Sequence, residues 1–513
     1  MSTGGLSRAR LGRMHDVMAG HVERGAVPGI VTAVGRRGEV HVDAIGVQAA
    51  RGRDPMRRDT IFRIASMTKP VTAAATMILV EECKLRLDEP VDRLLPELAD
   101  RKVLRRLGGP LDDTVPANRP ITVRDLLTMR MGFGLIMEPS ADDPVQKAMS
   151  EAGIAPGPNP PALAPDDLMK CFGRLPLLHQ PGERWLYHSS FDILGVLIAR
   201  AAGMRFEDFL TERILAPLGM KDTAFSVPEA KRERLAACYH ADIATDALVP
   251  CEEGRFAVFP GGSTGLFSTV DDDLAFGRMM LNGGRHGAVR ILARPTVEVM
   301  TTDQLTPAQK AASPFFPGFW DNRGWGLGVS MITRRDGIAA VPGRYGWDGG
   351  YGTSWGSDPR EDMVAILMIQ RLYDPIVADI IADFWTWPTR RSTTDAGLTK
   401  GSNREPGISF SMGARPTTNP ARIPTAKITT SQGRCEAPHG ERRAPSAPLL
   451  TPGDVPLTIR PCRTGLAQPG CQALPKVGPG CRIAAPSFVL GKITRDALNG
   501  RANHAGRQCQ SAR

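Results

Sequence analysis

Three short stretches of this chain carry side chains whose types and spacing suit nucleophilic chemistry. In Ser66-Met67-Thr68-Lys69, a hydroxyl and an amine stand three residues apart at the start of the Ala-rich helical run VTAAATMILV. Residues i and i+3 share one face of a helix, so the Lys69 amine can touch the Ser66 hydroxyl. The apolar run buries this helix, and Pro70 falls in its first turn, where proline is tolerated. A lysine in such poorly solvated surroundings loses its proton at a lower pH and becomes available as a base. The four residues also fit an N-capping serine with a solvated lysine behind it.

The second stretch is Trp185-Leu186-Tyr187-His188-Ser189, between the turn Gln180-Pro181-Gly182-Glu183 and an apolar helix. A tyrosine there can point into a cleft, and beside a lysine ammonium its phenol is expected to lose its proton more easily and act as general base toward Ser66. Tyr187 also fits a core tyrosine with a satisfied hydroxyl, and His188 either lines the cleft or lies behind it. The third stretch runs from Trp347 to Trp355 as WDGGYGTSW, between probable strands. Glycines in a strand pattern mark close backbone approach or a bulge. In the catalytic reading, the Gly350 amide joins the Ser66 amide as an oxyanion hole.

Two G-x-S-x-G strings compete with Ser66, one around Ser263 and one around Ser354. A nucleophile elbow needs a strand before the serine, a helix directly after it, and an acid and a histidine downstream. Neither string meets this: after Ser263 the chain runs through Leu266-Phe267 to a fresh helix cap at Ser268 or Thr269, and after Ser354 the pattern stays β-like. Both are read as turn sequences.

The elements that must position these residues follow from periodicity. Leu6, Leu11, Met14, Met18 and Val22 predict an opening helix that ends near Gly25. Ile30–Val34 and Val40–Ile45 predict a hairpin across a Gly35–Gly38 turn. From about Leu85 to Cys251 the reading is mostly helical, with a Pro-rich loop at Pro156–Pro165. Strand-like runs return at GWGLGVSMITR, YGTSWGSD and MVAILMIQRL, before a closing helix around Ile376–Trp385. Chain ends that build a sheet around a helical middle imply a mixed domain with an all-helical insertion.

These motifs, in this order, resemble the Ser-x-x-Lys, Tyr-x-Asn and Lys-Thr-Gly elements of class C beta-lactamases and penicillin-binding proteins, and more closely the family VIII carboxylesterases. ITVRDLLTMRMGFG, FDILGVLIARAAG and GGSTGLFSTVDDDLAFGRMM match further segments of that family, so the resemblance runs from about Leu6 to Trp387. It implies an α+β, beta-lactamase/transpeptidase-like fold in residues 1–388. The antiparallel sheet with its flanking helices would take about 1–65 and 256–388, and an all-helical subdomain about 66–255. It also implies an acyl-enzyme on Ser66, proton handling by Lys69 and Tyr187, an oxyanion hole at the Ser66 and Gly350 amides, and no cofactor. Ser189, Trp347, Asp348 and Gly349 would line the substrate cleft with His188. Two departures bear on the substrate. Where lactamases present a cation to the substrate carboxylate, this chain has Trp347-Asp348-Gly349, and Ser189 replaces Asn. A carboxylate-bearing lactam loses its partner, whereas an uncharged small-molecule ester needs none, so esterase is the expected activity ahead of lactamase, D-amino-acid peptidase or a non-turnover penicillin-binding role.

Composition bounds the rest. Of the 513 residues, Arg390–Arg513 carry a net charge of +13, which leaves −3 on the remainder. That basic segment has no Trp or Tyr and is rich in Pro, Gly, Ser and Arg, so residues 389–513 are expected to form a disordered tail. Without interleaved aromatics, it does not suggest a nucleic-acid partner. The nine cysteines show no metal-ligand spacing, and no stretch reads as a signal peptide or a membrane span. A cytoplasmic protein with reduced thiols and no metal is the expectation.

Overall fold

An antiparallel strand with one face in water alternates apolar and polar residues. The run Gly29–Arg36 does not; it is buried along its whole length and therefore needs cover on both sides. The computed structural model, which describes residues 5–137, 143–242, 244–251 and 260–386, supplies that cover with two layers of helices. The predicted tail, 389–513, lies outside the described residues.

Seven strands form the main sheet: β1 (Gly29–Arg36), β2 (Glu39–Gly46), β3 (Arg323–Trp325), β4 (Ser330–Ile332), β5 (Tyr345–Asp348), β6 (Ser354–Asp358) and β7 (Met363–Met368). Their spatial order is β3-β4-β5-β6-β7-β1-β2, antiparallel throughout. The first and last strands of the sheet in sequence thus meet inside it, where β1 pairs with β7 in the register Val31 with Met368.

Five helices matter for the site: α1 (Arg8–Glu23), α2 (Thr68–Glu81), α3 (Ser190–Ala202), α4 (Val270–Leu281) and α5 (Pro375–Thr386). Successive strand residues point to opposite faces. Ile30, Val34, Ala365 and Leu367 accordingly pack with Met14 and Met18 of α1 and Ile380 and Phe384 of α5. Val31, Ala33, Val364 and Ile366 join the larger core on the opposite face, which includes α2, α3 and α4. Gly277 lets α4 lie close to that face, since a Cβ there would stand 2.5 Å from the Trp355 indole nitrogen.

Helix α2 is buried from Thr68 to Leu79, the setting expected of a central helix. Its small side chains permit close approach: a Cβ on Gly328 would sit 2.4 Å from that of Ala73. The predicted opening helix, hairpin and closing helix all form. The middle of the chain is helical but also holds short pairs, Lys102–Leu104 with Thr114–Pro116 and Tyr239–Ala241 with Leu248–Pro250. Three-residue strands are too short for alternation to be read from sequence. Among the described residues, no helix is long and apolar enough to cross a membrane.

Candidate active site

Ser66 lies in the single turn Ala65–Met67 that leads into α2, and it keeps 8% of its surface exposed. Ala65 enters this turn at φ 44°, left-handed backbone that costs an L-residue energy and here aims the following serine. One helical turn on, Lys69 is fully buried, with Nζ 2.9 Å from Ser66 Oγ and 2.7 Å from the Ser263 carbonyl oxygen. Burial pulls its pKa down to about 7, while the Asp192 carboxylate pulls the other way. A neutral amine beside the serine is therefore accessible near neutral pH.

Tyr187 arrives from the loop before α3. Its ring packs under Lys69, with Nζ 4.5 Å from the ring centroid, and its phenol oxygen accepts the Trp347 indole N–H at 2.8 Å. The phenol does not behave as the sequence suggested. Burial raises its pKa above the ordinary tyrosine value, and hydrogen bonding with Ser66 and Trp347 only partly offsets this. Tyr187 is therefore held protonated, and of the two groups Lys69 is the one that loses its proton near neutral pH. Desolvation of the phenol outweighs the hydrogen bonds that favour its phenolate, and the nearby Asp348 charge adds to the rise.

Gly350 follows a tight contact between Gly349 and the turn that carries Ser66. A Cβ on Gly349 would lie 2.1 Å from Thr353 Oγ1 and 2.3 Å from the Ile64 carbonyl, so only glycine lets the end of β5 reach the turn that carries Ser66. The Gly349 amide bonds to the Thr353 carbonyl, and the Gly350 carbonyl takes the Tyr373 amide. Among the described residues, the Gly350 N–H has no such partner. With the N-terminus of α2 at Ser66, the arrangement suits a developing oxyanion. The Pro-rich loop stands before it: Pro158 would be 3.6 Å from a Gly350 Cβ, Thr264 Oγ1 donates to the Pro158 carbonyl, and Tyr351 donates to Asn159.

The sequence profile of the family described as Beta-lactamase matches residues 14–383. The chain belongs to the beta-lactamase family. It is 38% identical over 364 residues to Protein Rv1367c of Mycobacterium tuberculosis, covering 69% of this chain and 88% of that protein. It is 29% identical over 371 residues to Esterase EstB of Burkholderia gladioli, covering 67% and 86%. Among solved structures, EstCE1, a hydrolase with promiscuous acyltransferase activity, superposes with a TM-score of 0.63 at 23% identity, over 75% of this chain and 99% of that one. As a beta-lactamase family member the chain is a serine hydrolase by class.

Three residues expected in the cleft of this family member are placed elsewhere. His188 has φ 92°, which turns its ring behind Lys69, where Nε2 lies 2.9 Å from Ser263 Oγ. Ser263 gives its own proton to Asp192 at 2.6 Å, so the His188 Nε2–H is the donor. Burial, and then Lys69, hold the imidazole neutral. Asp348 follows Trp347 on a strand and points to the opposite face, where it accepts the Ser354 hydroxyl at 2.5 Å. Ser189 is buried at the start of α3, its hydroxyl without a partner among the described residues. Both G-x-S-x-G serines are fully buried and committed to these carboxylates.

Two features escaped the sequence reading. Residues 313–325 fold an aromatic wall against the site: Phe315 lies 5.2 Å from the Tyr187 ring and 5.0 Å from that of Trp185, and Trp325 lies 4.7 Å from that of Trp347. Asp192 is the other. It accepts both the Ser263 amide and hydroxyl, and burial raises its pKa to about 6 against those bonds and the Lys69 charge. An acid inside the apolar run FDILGVLIA was the available signal.

Proposed function

We propose that this protein is a carboxylesterase that hydrolyses small uncharged esters through an acyl-enzyme on Ser66. The neutral Lys69 amine takes the Ser66 proton as Oγ attacks the ester carbonyl. The Ser66 and Gly350 amides hold the oxyanion, and Tyr187 hands its proton to the departing alkoxide. Lys69, now an ammonium under the Tyr187 ring, returns a proton to the phenolate. Water then repeats the sequence on the acyl-serine, its proton taken by the same pair.

The observation that carries this reading is the 2.9 Å approach of a fully buried lysine, titrating near 7, to the Ser66 hydroxyl. The similar proteins, Esterase EstB and EstCE1, a hydrolase with promiscuous acyltransferase activity, agree with ester chemistry. Against a lactam-directed role stands Trp347, a neutral donor already engaged by Tyr187 where a substrate carboxylate would require a cation. The test is turnover of p-nitrophenyl butyrate by the wild type and by Ser66→Ala, with labelling by a fluorophosphonate. Continuous turnover, a phosphonylated Ser66 peptide and near-complete loss of both in the variant are expected. A label on another serine would move the nucleophile, and a stoichiometric burst without a steady rate would make the protein a non-turnover binder.

A further inference from the structure

The strand Tyr239–Ala241 pairs with Leu248–Pro250, Tyr239 opposite Pro250. Continuing that register by one residue sets Cys238 opposite Cys251, and the Cys251 amide bonds to the Cys238 carbonyl. Directly paired antiparallel residues have Cα atoms about 4.5–5.5 Å apart, inside the range that a disulfide spans. Both thiols are free, with their sulfurs 2.8 Å apart, so a bond of about 2.0 Å requires less than about 1 Å of movement.

The surroundings of the pair link it to the site. Cys238 is buried in a small cluster with Ala65 and Tyr351, the residues adjacent in sequence to Ser66 and Gly350, and Cys251 and Leu372 pack against them. The backbone makes the same connection. The Tyr239 amide bonds to the Gln370 carbonyl and the Leu372 amide to the Tyr239 carbonyl, while the next residues, Arg371 and Tyr373, bond to the carbonyls of Tyr351 and Gly350.

We propose that Cys238 and Cys251 are a reversible disulfide site whose closure moves the floor of the oxyanion hole. Cys251 is the more exposed of the two and attacks first. Its pKa is lowered, chiefly because the Cys238 thiol donates to it, whereas burial raises that of Cys238. With a small-molecule disulfide as oxidant, the Cys251 thiolate displaces one thiolate to give a mixed disulfide. Cys238 then gives up its proton and attacks the Cys251 sulfur, releasing the second small thiol. Two protein thiols are oxidised and one external disulfide is reduced to two thiols.

The test treats the full-length protein with oxidised glutathione, then maps it by mass spectrometry after blocking free thiols. No lysine or arginine lies between the two cysteines, so one tryptic peptide, residues 235–255, contains both. That peptide is expected to lose two hydrogens, to take up no blocking group and to recover both thiols in dithiothreitol. A 1 Å misplacement of a catalytic group can cost about 10²-fold, so a smaller shift of the oxyanion amides is expected to lower kcat by roughly three- to tenfold. The variant Cys238→Ser/Cys251→Ser keeps its kcat in oxidant. Two blocked thiols, a persistent glutathione adduct, or a link to one of the tail cysteines would overturn the site, and equal kcat in both redox forms would overturn its coupling to the oxyanion hole. The kcat measurement rests on the esterase reading and the peptide mass does not, so the two fail separately.

Discussion

The Trp347 indole N–H, on strand β5, donates to the Tyr187 phenol oxygen across 2.8 Å. This neutral donor becomes a charge-assisted one when Tyr187 turns into a phenolate. Hydrogen bonds to charged groups contribute about 1.5–3 kcal/mol, so Trp347→Phe, which keeps the ring and removes the donor, is expected to lower kcat roughly ten- to hundredfold. KM for a short ester should change little, because the interaction strengthens only as charge develops. Steady-state kinetics on p-nitrophenyl butyrate check the split; a rise in KM at constant kcat would make Trp347 a binding wall only.

With Lys69 as the base, the acid limb of the pH profile is expected to follow its amine. Its amine accepts the serine proton only when neutral, and its pKa is about 7, so kcat/KM should climb about tenfold per pH unit below 7 and flatten above it. Lys69→Met removes the base and is expected to cost about 10²- to 10⁴-fold with the limb abolished. Retention of the limb in that variant would assign it to another group.

Asp192 sets where that limb falls. Its carboxylate raises the Lys69 pKa against desolvation, and its Oδ1 accepts both the Ser263 amide and hydroxyl. Asp192→Asn removes the charge and keeps an acceptor, so the Lys69 pKa drops and the acid limb moves to lower pH. A purely structural role would lower activity evenly at every pH and leave the limb in place, which a profile from pH 5 to 9 distinguishes.

Which parts of this were legible in the sequence follows from how local each relationship is. Ser66 and Lys69 are one helical turn apart, so their contact is written in their spacing. The β1 strand, too, shows as the β-rich run Ile30–Val34, in which Thr32 is the one polar residue. The face chosen by Asp348 was also readable, since neighbours on a strand point apart, but its place in a motif drew it toward the cleft. The turned His188 ring was not readable, because it depends on a φ of 92° that no side-chain pattern announces. Nor was the Ser263 carbonyl beneath Lys69, since every residue type offers a carbonyl and only the fold selects one. The aromatic wall around Phe315 comes from a loop without periodicity and is assembled by contacts across the fold.

Gly349 offers the sharpest test of how the sheet and α2 are fitted together. Its missing side chain leaves room for Thr353 Oγ1 and the Ile64 carbonyl, to which that hydroxyl donates at 3.2 Å. Thr353 can be shortened, but the Ile64 carbonyl cannot withdraw without dragging the turn that carries Ser66. Gly349→Ala is therefore expected to push the Gly350 amide off the oxyanion position, and loss of one such donor commonly costs about 10²–10³-fold in kcat. Adding Thr353→Ala should leave kcat low, because the backbone clash persists. Kinetics of the single and double variants, with thermal melts to confirm that both fold, decide the matter: recovery in the double variant would mean that the threonine hydroxyl, and not the approach of β5 to Ile64, sets the position of the oxyanion hole.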